Sequence, residues 1–97
     1  MTTLLISLTI DPANQSQVLD MLRDNIHTVI RTLDGWIATN LIATTDGSRI
    51  VIHSQWRDDA AIAAMRADPR MVAYYPKLAA FATIAPIMGE LVHEARA

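Results

Sequence analysis

The chain contains no cysteine, which removes disulfides, thiolate nucleophiles and cysteine-held metals or clusters, and suits a cytoplasmic protein. Charge is also scarce: 19% of residues are charged and the net charge is -2. The few Arg and Lys residues are scattered, so there is no basic footprint for nucleic acid or an anionic membrane. The opening "MTTLLISLTIDP" carries no positively charged leader, and "LAAFATIAPIMGELV" is broken by Thr83, Pro86, Gly89 and Glu90. Neither an export signal nor a membrane span is expected. Glycine-rich phosphate loops, dinucleotide fingerprints and H-E-x-x-H are all missing, so nothing announces a nucleotide, a flavin or zinc. The three imidazoles, His27, His53 and His93, stand 26 and 40 residues apart, which is no local metal motif.

What the 97 residues do have is apolar content, 52% of the chain. That is enough to fold as one domain spanning residues 1–97, with apolar surface left over for a partner subunit. Residues 3–10 read as a buried strand ending at Asp11-Pro12, a helix-start pair. Val18, Leu22, Ile26, Val29 and Leu33 then repeat at helical spacing, which predicts a helix over 13–33 closed by Gly35. Two β-type runs, 36–44 and 49–56, flank Thr45-Asp46-Gly47 and read as a hairpin.

Asp58 is placed to cap a short helix bearing Ile62 and Met65. Asp68-Pro69 starts another, with Met71, Val72, Tyr75, Leu78 and Ala79 on one face and Pro76 expected to bend it. Residues 84–94 read as a final strand. The order β-α-β-β-α-(α)-β is the split βαβ, ferredoxin-like α+β arrangement: a four-stranded antiparallel sheet with helices on one face. Its strands are apolar on both sides, so the open face predicts a homodimer.

Chemistry centres on the second hairpin strand. Ile50, Ile52, Ser54 and Trp56 share one face, expected under the helices, while Val51, His53 and Gln55 share the other. His53 reads as a hydrogen-bonded residue at a sheet-to-sheet contact, His27 as an exposed helix residue, and His93 as a strand-edge or interface residue. Trp56 has two readings, a plain core tryptophan or the floor of a pocket. The placement of Asn40 depends on hairpin register: a two-residue Asp46-Gly47 turn pairs it with His53, and a three-residue Thr45-Asp46-Gly47 loop pairs it with Ile52. Gly47 in the third loop position favours the latter, which puts Asn40 in the pocket. Tyr74 and Tyr75 are neighbours on a helix, and only Tyr75 shares the Met71-Leu78 stripe, so its hydroxyl is the expected polar tip in an apolar cavity.

The stretch "ATTDGSRIVIHSQWRDDAAIAAMRADPR" resembles the antibiotic-biosynthesis monooxygenase family, which includes small oxygenases that turn aromatic anthrones into quinones. The similar features are the T-D-G hairpin, the strand ending in Q-W, the acidic helix start and A-D-P-R before the next helix. The resemblance implies a dimeric α/β barrel that oxidises a small aromatic substrate between sheet and helices. It implies no flavin, haem or metal, with molecular oxygen as co-substrate.

The chain departs from the family's pattern at three positions. Ile52 stands where an Asn accompanies the tryptophan, Ile42 where some members have a histidine, and Tyr75 where an arginine falls. Haem-degrading relatives would need an axial histidine near Tyr75, which is absent. The expected reacting set is therefore Trp56, Asn40 and Tyr75, with Ser54, Ile52, Ile42, Met71 and Tyr74 against the substrate. A non-oxidative polyketide cyclase or isomerase, and a ligand-binding dimer without turnover, are the alternatives; a general quinol oxygenase lies between.

Overall fold

The computed structural model describes residues 1–97. Strand β1 is Thr2–Ile10, helix α1 Gln15–Thr28, and the hairpin is β2 Trp36–Ala43 with β3 Arg49–Trp56. Helices α2 Asp59–Ala67 and α3 Pro69–Ala79 follow, then β4 Ala82–Glu90. The sheet is antiparallel throughout, in the order β2-β3-β1-β4, with the apolar faces of all three helices against one side. This is the expected ferredoxin-like α+β arrangement.

Local chemistry sets the element boundaries. Asp58 accepts from the Ala61 amide at 2.8 Å and Asp68 from that of Arg70 at 2.8 Å, so both helices start on a carboxylate cap. Asp11 instead heads a short 3-10 turn, Pro12–Asn14, before α1 begins. The long first helix expected over 13–33 stops at Thr28 and resumes only as a 3-10 turn, Ile30–Thr32. The cause is the β-branched run Thr28-Val29-Ile30, which crowds the preceding turn. Thr28 Oγ1 also donates back to the Asp24 carbonyl at 2.8 Å, competing for the backbone.

Gly35, with φ of +84°, turns the chain into β2. Its carbonyl accepts from the Arg57 amide at 2.7 Å, and a Cβ here would lie 2.5 Å from that of Ala61. Glycine is thus required twice over, for its backbone angle and for the close approach of α2. The last strand begins two residues earlier than expected and ends at Glu90 rather than 94. Thr2 pairs with Glu90, so β1 offers no partner beyond that point. Pro86 is accommodated because β4 is an edge strand.

The core lies between sheet and helices in two adjoining clusters. One gathers Leu4, Val29, Ile30, Trp56, Ile62, Met65 and Met71; the other gathers Leu8, Ile10, Val18, Leu22, Ile50 and Leu78. Tyr74 packs against both, so α3 turns the buried Met71 and Leu78 and the half-buried Tyr74 and Tyr75 to the core together, while Val72, expected on this stripe, is exposed. The opposite sheet face carries Leu5, Val51, His53, Ile42 and Ile87 in register, and Ile42 and Ile87 are largely exposed.

Candidate functional site

An apolar chamber lies at the seam of the two clusters. Trp56, Ser54, Ile52 and Thr39 form its sheet wall; Leu22, Asn25, Ile26 and Ile30 come from α1 and the turn after it. Met65 on α2 and Met71, Tyr74, Tyr75 and Leu78 on α3 complete the lining. Its volume is about 60 Å³, room for roughly four or five water-sized spheres. A multi-ring aromatic therefore enters only if lining side chains move, and the unbranched Met65 and Met71 are the ones built to do so.

Trp56 is held rigidly in that wall. Its ring is 1% exposed; Nε1 donates to Ser54 Oγ at 3.1 Å, and Ser54 donates in turn to the Leu4 carbonyl at 3.1 Å. On the opposite side Tyr75 Oη donates to Met65 Sδ at 3.3 Å and Asn25 Nδ2 to Met71 Sδ at 3.6 Å. Thioethers are weak acceptors, so both donors are only loosely engaged. Tyr74 Oη is buried with no partner. Burial, reinforced by Tyr75 and Asp24, pushes the Tyr74 phenol up to about 12. Burial also raises Tyr75, against the lowering influence of Arg66. At neutral pH both phenols stay protonated and act as donors.

The chamber thus brings together Trp56, Tyr75, Ser54, Ile52, Met71 and Tyr74. It does not include Asn40 or Ile42, which corrects their expected placement. Asn40 pairs with His53, and Ile42 with Val51, so both point to the open face. Thr44 and Arg49 close the hairpin around four loop residues, and that even count has the parity of a two-residue turn. Asp46 fixes this loop by accepting from Thr44 Oγ1, Ser48 N and Ser48 Oγ. Asn40 instead borders a groove with His53, Gln55 and Glu94.

The register that removes Asn40 brings Thr39 into the chamber, where its Oγ1 accepts from Trp36 Nε1 at 2.8 Å. Asn25 was legible as a polar interruption of the Val18-Leu22-Ile26-Val29 stripe, but was not singled out. No carboxylate, imidazole or amine lines the chamber. The chemistry on offer is desolvation, orientation and hydrogen-bond donation to an oxygen that gains negative charge.

A family model described as antibiotic biosynthesis monooxygenase matches residues 1–77. Tetracenomycin-F1 monooxygenase of Streptomyces glaucescens is 29% identical over 82 residues, covering 84% of this chain and 73% of that protein. The fold is shared with the monooxygenase ActVA-Orf6 of Streptomyces coelicolor, solved with nanaomycin D. Its TM-score is 0.89 at 20% identity, over 99% of this chain and 91% of that one. SnoaB of Streptomyces nogalater, described as a cofactor-independent oxygenase, superimposes with a TM-score of 0.79 at 18% identity, over 96% and 94% of the two chains.

Proposed function

The chain belongs to the antibiotic biosynthesis monooxygenase family, a family of oxidoreductases, and from that premise we propose that it oxidises an anthrone-like aromatic polyketide or a quinol to a quinone with O2 and no cofactor. The observation that carries this reading is the chamber itself: apolar, floored by a fixed tryptophan and fitted with hydrogen-bond donors in place of bases. The likeness to a cofactor-independent oxygenase and to a monooxygenase solved with nanaomycin D supports it.

In this mechanism the substrate supplies the electrons. A ring methylene flanked by aromatic rings gives up a proton to solvent water as its carbonyl oxygen becomes an enolate, and a donor at that oxygen lowers the cost of ionisation. Tyr75 Oη, released from Met65, is our candidate donor, Ser54 fixes the Trp56 ring against the substrate plane, and Ile52, Met71 and Tyr74 enclose it. The carbanion passes one electron to O2, and the radical pair combines to a C–O bond. The resulting peroxide takes up a proton and loses water, so one oxygen atom ends in the quinone carbonyl and the other leaves in H2O. We further propose a cytoplasmic homodimer closed through the open sheet face, where Ile42 and Ile87 need cover.

The test is oxygen uptake by the metal-free protein with a simple anthrone, for wild type, Trp56→Phe and Tyr75→Phe. Uptake above the spontaneous rate that falls in either variant is expected. An altered product formed at equal yield without oxygen would instead assign a cyclase or isomerase, and binding without any product a carrier.

A further inference from the structure

Asn25 is the polar residue hardest to account for by folding alone. It sits on the buried stripe of α1, one turn beyond Leu22, and is 8% exposed. A leucine there would complete the stripe. Its side-chain amide instead meets only the Met71 thioether at 3.6 Å, a poor return for burying it. One turn along α3 from Met71 stands Tyr74, a neighbour by helical spacing, whose buried hydroxyl has no partner at all. The Tyr74 ring also packs against the cluster that holds Val18 and Leu22 of α1. Two residues with under-used donors, from two helices, therefore line one chamber together with Trp56 and Ser54.

We propose that Asn25 and Tyr74 together hold an acceptor oxygen of the ligand, making Asn25 a specificity-determining residue that selects aromatic ligands with a carbonyl or phenolic oxygen on the edge facing α1 and α3. The ligand oxygen displaces the Met71 sulfur from Asn25 Nδ2 and gives Tyr74 Oη its missing partner. A ligand without that oxygen leaves both groups unpaired in a drier chamber, so the site rejects it by omission. This deepens the proposed oxygenase reading and rests on the same chamber.

The experiment is calorimetric binding of α-tetralone and of tetralin, which share a ring shape and differ in one carbonyl, to the full chain. Wild type is expected to prefer α-tetralone by about tenfold, the value of one net hydrogen bond. Asn25→Leu and Tyr74→Phe should each shrink that preference, and the double variant should bring it to about one, with tetralin bound no more weakly than by wild type. Asn25→Ala serves if the leucine variant fails to fold. A preference retained in these variants, or absent in wild type, overturns the proposal. No turnover is required, so the two readings fail separately. Selective binding without oxygen uptake sinks the oxygenase alone, and uptake with unaltered selectivity in Asn25→Leu sinks the role of Asn25 alone.

Discussion

Replacing Ser54 with alanine removes one oxygen atom, yet it should be among the costlier small changes in the chain. The hydroxyl is the sole acceptor for the Trp56 indole N–H, and both residues are buried, at 5% and 1% exposure. The void left is smaller than a methyl group, so the penalty is almost wholly that of a buried donor without a partner, about 1–3 kcal/mol. For a chain of this length that corresponds to a fall in Tm of between about 5 and 20 °C. Trp56→Phe costs about 2 kcal/mol or more through the space it empties, but it removes the donor along with the ring. In the double variant no indole N–H remains to be stranded. Ser54→Ala and Trp56→Phe should therefore couple, the pair costing about 1–3 kcal/mol less than the sum. Urea unfolding of the four proteins, followed by far-UV circular dichroism, measures this. Additivity within about 0.5 kcal/mol would refute the claim that Ser54 anchors the tryptophan.

Four further outcomes are expected. Gly35→Ala forces a Cβ against Ala61 and an unfavourable positive φ, at a cost of about 2–5 kcal/mol; urea unfolding should also show partial rescue by Ala61→Gly, and full stability would refute the close approach. Tyr74→Phe should stabilise the unliganded protein by about 1 kcal/mol, because the hydroxyl it deletes has no partner. Since the folded-state phenol is raised to about 12, ionisation favours the unfolded chain as pH climbs from about 10 toward 12, and alkaline titration of Tm should show Tyr74→Phe losing less stability there than wild type. Asp46, brought down to about 2 mainly by the Ser48 amide and hydroxyl, favours the fold above its ordinary value of 3.8 and loses that effect as pH falls toward 2; Tm measured against pH should show a shallower acid decline in Asp46→Asn.

Most of the architecture was legible because burial writes itself into periodicity. Alternation along β3 put Trp56 and Ser54 under the helices, and aspartates marked the starts of α2 and α3. The errors arose where two local signals competed. In α1 the apolar spacing continued past Thr28 while β-branching ended the regular helix. In the hairpin, Gly47 in the left-handed region suits loops of more than one length, and one residue of loop decides which face of β2 each side chain takes. Ser48, read as strand-side rather than loop, changed the parity and exchanged Asn40 for Thr39. The bulge between Trp36 and Ala38 then restores Trp36 to the helix side, an irregularity no alternation pattern announces. Asn25 was missed for the opposite reason: a polar residue on an apolar stripe becomes informative only when its partner is known, and that partner lies 46 residues away.

The two methionines that border the chamber have a consequence for how such a protein could change its trade. A cavity walled by branched or aromatic side chains is a socket, and a new guest requires a new wall. One walled by thioether chains behaves more like a mould, taking the outline of what fills it at the expense of side-chain order. Affinity across guests of different outline should then vary little, with gains in contact cancelled by losses in freedom. Under that arrangement a lineage could acquire a different aromatic substrate through one or two donor positions while the backbone, the tryptophan and the hairpin stay as they are.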